Sequence, residues 1–185
     1  MRRLKIPTLL GAFITLLDDR LGETIVLPLL PFLLEQFTTS ATTLGFLTGT
    51  YAISQFAAAP LIGAMSDRFG RKPIIVTCVS GSVLGICLFA ITVSLNWDNY
   101  LPLWASILPL SLLFLARIID GVSGGTAATA TTILADISTP ENRAKTFGLI
   151  GVAFGLGFIL GPGLGTALAK FSVILPVWVA SGFAL

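Results

Sequence analysis

Histidine does not occur among the 185 residues. The one side chain that titrates near neutral pH unaided is therefore missing, and with it Ser-His-Asp and Cys-His catalysis, histidine zinc sites and histidine proton relays. Charge is also scarce. Asp, Glu, Lys and Arg make up 11% of the chain, against about 25% in a soluble domain, whose surface must face water. The net charge of +2 is small and dispersed, which excludes a nucleic-acid footprint. Two cysteines are present, Cys78 and Cys87, nine residues apart in one apolar run. On a helix that spacing leaves them about half a turn apart in angle and well separated in height. No disulfide is expected, and both read as small apolar core residues. Nothing points to a metal, a cofactor or an enzyme.

Apolar residues fill the space left by charge. They form 55% of the chain, and the mean hydropathy is +0.94. Such a chain cannot cover itself with polar groups, so lipid is its solvent and the bilayer its first partner. A spanning helix needs about 20 mostly apolar residues. Five such stretches are visible, from about Pro7 to Phe37, Leu44 to Met65, Pro73 to Leu95, Leu103 to Ile137 and Thr146 to Ala169. A sixth begins by Pro176 and is too short by Leu185 to cross alone, which predicts a chain cut inside a helix. Arg2, Arg3 and Lys5 before an apolar run resemble a signal peptide, but Asp18-Asp19-Arg20 interrupts the run and no small-residue cleavage site follows.

The connecting loops set an orientation. Arg2, Arg3, Lys5, Arg68, Arg71, Lys72, Arg143 and Lys145 fall on one side, with only Lys170 on the other, beside Glu35 and Asp98. Eight cations against one predict a cytoplasmic N-terminus and a plasma (inner) membrane location. Trp97, Tyr100 and Trp104 cluster where an outer aromatic belt is expected.

Charges also occur where lipid should be. With the first helix starting near Pro7, Asp19 lies about 18 Å along its axis, at mid-bilayer. Asp18, Asp19, Arg20 and Glu23 would each cost about 2.5–3.5 kcal/mol facing lipid, so they must face protein or a water-filled cavity. Arg20 and Glu23 are i,i+3 and can neutralise each other, while Asp19 and Glu23 stack two acids on one stripe. Arg117 and Asp120 repeat the i,i+3 pattern in the fourth stretch. Ion pairs that merely lock helices one and four together are one reading; carboxylates that exchange protons in a cavity are the other. Pro28 and Pro31 break the outer half of the first helix.

The second stretch ends Gly63-Ala-Met-Ser-Asp67-Arg68-Phe-Gly70-Arg71-Lys72. Asp67 can reach Arg71 across one turn, Gly70 suits a tight turn, Gly63 permits close helix approach, and the cations hold the loop at the headgroups. In the fifth stretch Gly148, Gly151, Gly155, Gly157, Gly161, Gly163 and Gly165 recur around Pro162. Small-x-x-x-small spacing predicts close packing through Gly151/Gly155 and Gly157/Gly161, or a hinge. A phosphate loop is excluded, since no Gly-Lys-Ser/Thr follows. An intramembrane aspartyl protease is disfavoured, since no Gly-x-Gly-Asp or Tyr-Asp setting occurs.

The loop closely resembles the G-x-x-x-D-R-x-G-R-K signature of the major facilitator superfamily. Asp19, followed by Pro28-Leu-Leu-Pro31, resembles the first helix of drug exporters related to the tetracycline group. Arg117-x-x-Asp120-Gly121, ahead of Ala135-Asp136, resembles the fourth-helix pattern, and Gly157-x-x-x-Gly161-Pro162-x-x-Gly165 the antiporter motif of the fifth. Arg20 and Glu23 add charges where related exporters tend to be small or apolar, and Thr166 stands where the antiporter motif usually has a second glycine.

The resemblance implies an all-α membrane protein. Residues 1–185 would be the N-terminal six-helix half of a 12-helix transporter fold, five complete helices and the start of a sixth, in two inverted three-helix repeats. It implies Asp67, Arg71 and Asp136 as a cytoplasmic gate and Arg117 as a proton-coupling residue. The expected function is proton-coupled antiport, as efflux, of a small organic or drug-like molecule. Asp19, Arg20, Glu23, Arg117 and Asp120 would form the cavity, with Asp19 or Glu23 pairing with Arg117 or Arg20. Partners would be protons, a substrate, and a missing C-terminal half or second copy. The alternatives are a truncated or dimerising half that transports nothing alone, and a sugar or metabolite symporter of the same superfamily.

Overall fold

The structure is a computed structural model that describes residues 6–97 and 107–183, with side chains from Leu9 onward. Arg2, Arg3, Lys5, Asp98, Tyr100, Leu103 and Trp104 lie outside the described residues. Helix α1 runs from Ile6 to Val26 and gives way to a 3-10 turn, Leu27–Leu29, before α2, Leu30–Leu34. Pro28 has no N–H to offer the preceding turn, and the helix tightens where that bond is lost, as the prolines predict. The Ser40 hydroxyl accepts from the Thr43 N–H and caps α3, Ala41–Phe69. Gly70 ends α3 at φ 97°, a conformation that only glycine adopts without strain. Its N–H donates to the Ser66 carbonyl, and α4, Arg71–Ser94, starts at the next residue.

The fourth span consists of α5, Ile107–Ser123, and α6, Gly125–Ile137. They join at Gly124, whose N–H donates to the Gly121 carbonyl. The Gln55 amide of α3 donates to the Gly124 carbonyl at 3.2 Å, tying α3 to the break. Helix α7, Arg143–Ala169, contains Pro162, and α8 covers Leu175–Phe183. Helices α3 and α7 outrun their apolar stretches by several residues, beginning or ending on Asp67, Arg68, Arg143 and Lys145. Backbone hydrogen bonding continues where the side chains have already turned polar, so hydropathy alone stops short.

Among the described residues, three helical runs are long and apolar enough to cross a membrane: Arg71–Ser94, Ile107–Ile137 and Arg143–Ala169. The first span carries four charges between Asp18 and Glu23, and α3 is diluted by Thr48, Thr50, Ser54 and Gln55. Phe32, Phe46, Ile53, Phe56, Leu84 and Ile159 are all exposed, as lipid-facing side chains should be. Inside, Leu21, Ile25, Leu30, Leu33, Phe89, Val93, Leu113 and Val177 form one core. Leu16, Ala130, Leu134 and Ala153 belong to a second. Along α1 the charged run separates the two.

The neighbours follow the expected repeat. The first span packs on α7 and α8, and the fourth on α3 and α4. Exchanging spans one to three with four to six converts the first-on-fifth contact into fourth-on-second, and first-on-sixth into fourth-on-third.

The glycines separate by direction. A Cβ at Gly157 would lie 2.6 Å from the Arg20 Cβ, one at Gly161 2.7 Å from the Thr24 Cβ, and one at Gly165 would collide with the Ile25 carbonyl. Gly63, Gly151 and Gly155 have nothing within 4 Å. Within the described residues, the expected Gly151/Gly155 contact and the close approach at Gly63 are therefore not made, since all three positions face away from these helices. The fourth span uses an unforeseen set: Gly121 seats against Tyr51 and Ser54, Gly124 against Gln55, and Gly125 against Ile62.

Candidate functional site: a charged intramembrane cavity

Between the two cores lies a cavity of about 170 Å³. Helix α1 contributes Asp18, Asp19 and Glu23, α3 contributes Tyr51, and α4 contributes Ser82 and Phe89. Helix α5 supplies Arg117 and Asp120, α6 Thr126, and α8 Val177 and Phe183. The i,i+4 spacing of Asp19 and Glu23 places both on the face of α1 that looks into the bundle. Arg117 and Asp120 reach the same space from α5. Charges from two helices thus converge on one cavity, away from lipid.

Their pairing differs from expectation. Arg20 binds both acids of α1: its Nη2 donates to Asp19 Oδ2 at 2.7 Å and its Nη1 makes a short bond to Glu23 Oε2. Arg117 is 3.7 Å from Asp120, too long for a hydrogen bond. Its Nε is buried without any hydrogen-bond partner. The guanidinium lies 4.9 Å from the Phe89 ring centroid and 5.9 Å from that of Tyr51, within cation–π range. No ion pair joins Arg117 to Asp19 or Glu23 among the described residues. Each arginine pairs with acids of its own helix, because an acid within one turn along the same helix is nearer than one across a cavity. The reading in which ion pairs clamp helix one to helix four is therefore corrected. So is the placement of Arg20, which does not line the cavity but lies behind it, against α7.

The loop residues occupy a separate place. Arg71 Nη1 lies 2.7 Å from Asp67 Oδ1, and Arg71 Nη2 lies 3.2 Å from Asp136 Oδ2. The Arg71 Nη1 also donates to the Ser66 hydroxyl. One guanidinium thus ties the end of α3, the start of α4 and the end of α6. Arg68 instead lies over the Phe69 ring. Beyond these, Tyr51 and Gln55 went unmarked in the sequence. They sit at i,i+4 on α3, with Gln55 donating to the Tyr51 hydroxyl at 3.3 Å. Two such polar groups on one face of a membrane helix were a signal within reach.

A charged cavity among apolar helices, a glycine-seated first-on-fifth interface and a charged loop tie all occur on one all-helical chain. The sequence profile described as the Major Facilitator Superfamily matches residues 9–185. This chain belongs to that superfamily. It is 36% identical over 177 residues to the class B tetracycline resistance protein of Escherichia coli, covering 94% of this chain and 40% of that protein. Multidrug resistance protein 2 of Bacillus subtilis is 33% identical over 166 residues, covering 89% of this chain and 38% of that protein. The crystal structure of the human organic anion transporter MFSD10 (TETRAN) superposes with a TM-score of 0.76 at 32% identity, covering 96% and 44% of the two chains. The chain thus spans about two fifths of the length of these curated relatives. As a member of the superfamily it is an integral, multi-pass membrane protein with the fold of the N-terminal half. Its relatives are transporters, not enzymes.

Proposed function

We propose that this chain forms one half of a secondary transporter that exports a small organic, drug-like molecule in exchange for protons. The observation that carries the reading is the convergence of Asp19, Glu23, Asp120 and Arg117 on one cavity inside the membrane. Ionisable groups are kept there at a cost, and they mark ion or substrate paths. Resistance to tetracycline and to multiple drugs, named for two relatives, supports efflux. A second six-helix half, joined to this one or supplied by another copy, completes the cavity wall. Arg68, Arg71, Lys72, Arg143 and Lys145 face the cytoplasm, and Arg71, Asp67 and Asp136 close that side.

Proton uptake at Asp19 or Glu23 weakens the hold of Arg20 on that acid, while Arg117 and Asp120 bias the opposite wall. A proton or a substrate shifts the balance of inward- and outward-open states only by its differential affinity for the two. The test is accumulation of a panel of lipophilic drugs in everted vesicles carrying the protein, with and without a protonophore. Protonophore-sensitive accumulation is expected. Accumulation that survives collapse of the gradient, or protons moving with the substrate, refutes antiport.

The loop gives a second prediction. The Asp67 and Asp136 side chains are more than half exposed, and exposed ion pairs contribute about 0–1 kcal/mol. Arg71→Ala should therefore leave unfolding stability within about 1 kcal/mol while lowering the drug flux severalfold. A large stability loss measured by thermal unfolding would make Arg71 a structural residue instead.

A further inference from the structure

Arg20 sits where the cavity does not reach. Only 8% of the residue is exposed. It leaves α1 on the side of α7, where its Cβ fits the space that a side chain on Gly157 would fill. The guanidinium lies 4.9 Å from the centroid of the Phe154 ring. From that slot the fork turns back to Asp19 and Glu23, which do line the cavity. One turn on, the Thr24 hydroxyl lies 2.8 Å from the Gly157 carbonyl across the same seam, its one proton shared with the Arg20 carbonyl at 2.6 Å. Under the exchange of repeats, Arg20 is the counterpart of Arg117. Each has an acid three residues on, and each meets an aromatic ring of the span its helix packs against, Phe154 in one case and Tyr51 in the other. What differs is access, since Arg117 opens on the cavity and Arg20 on the helix seam.

The geometry points to Arg20 as a positioning residue that transmits the charge state of Asp19 and Glu23 to the packing of α1 on α7. This rests on the reading of those acids as proton carriers. With both ionised, the guanidinium has two counterions and stays in its slot. When they take up protons it becomes a buried cation without a counter-charge, which is strongly unfavourable, and the face of Phe154 offsets only part of that. The side chain must then swing towards the cavity, or water must enter beside it. Either change loosens a seam that depends on contact at Gly157, Gly161 and Gly165. The ionisable groups facing the cluster are Asp18 on its own helix, Tyr51 on α3, Cys78 on α4 and, across the cavity, Arg117 and Asp120 on α5. Helix α7 carries none between Lys145 and Lys170, and α8 carries none.

Hydrogen–deuterium exchange of the full chain in lipid nanodiscs tests this, corrected for the intrinsic pH dependence of exchange. Between about pH 8 and about pH 4, a range that reaches ordinary carboxylate titration, the wild-type amides of residues 153–165 should exchange about tenfold faster. In the double variant Arg20→Gln/Glu23→Gln the net charge is unchanged and Asp19 still titrates, yet the response should vanish. Should that variant fail to fold, Arg20→Lys carries the comparison, because it keeps the charge without the fork and should reduce the response. A wild-type seam indifferent to pH, a full response in either variant, or an equal acceleration throughout α4 would each overturn the proposal. The measurement uses neither substrate nor gradient. A seam that responds in a protein without proton-driven transport would thus retain this role for Arg20 and remove the antiport reading alone.

Discussion

Gly161→Val is expected to destabilise the protein by about 3 kcal/mol, whereas Gly151→Val should change its stability by no more than about 0.5 kcal/mol. Both residues lie on α7, and both gain helix propensity from the change. The difference lies in what each faces. A Cβ at Gly161 meets the Thr24 hydroxyl and lies 3.0 Å from the Thr24 carbonyl carbon. Backbone cannot step aside as the end of a flexible side chain can, so α1 and α7 must separate. Separation also takes the Thr24 hydroxyl away from the Gly157 carbonyl, leaving it the Arg20 carbonyl of its own helix. Around Gly151 nothing lies within 4 Å, and a valine there simply faces outward. Unfolding of the two variants in one detergent distinguishes them. Equal losses would mean that the whole glycine series packs, against the observed seam.

Asp19→Asn is expected to bring protonophore-sensitive drug accumulation down to the level of vesicles without the protein. Asparagine keeps the size of the side chain and an oxygen that can accept from Arg20, so the cluster retains its shape. What it loses is the capacity to bind and release a proton. Arg20 then has Glu23 as its only counterion. Proton exchange is thus removed at one of the two acids that share the guanidinium. Asp19→Glu, which restores a titrating group, should recover part of the accumulation. Undiminished coupling in Asp19→Asn would remove this residue from the proton path and shift attention to Asp120.

Both predictions depend on direction around a helix, and direction is what the sequence expressed least well. The membrane spans, the break at Pro28 and the turn at Gly70 follow from hydropathy, the missing proline N–H and the need for positive φ. The pairing of Arg20 with Glu23 and of Asp67 with Arg71 follows from their spacing, since helical geometry brings i,i+3 and i,i+4 side chains together wherever the helix points. These relations are internal to one helix or one turn, and a linear sequence contains them.

Relations between helices are different. That Arg20 lies behind the cavity, that Arg117 does not reach across it to Asp19, and that Gly157 packs while Gly155 does not, all depend on azimuth. In water the polar face of a helix points outward and reveals the azimuth. In lipid both the core and the surroundings are apolar, so a helix such as α7 carries no such marker along most of its length. Only the assembled bundle, through the fit of Arg20, Thr24 and Ile25 against three particular glycines, settles which side is inside.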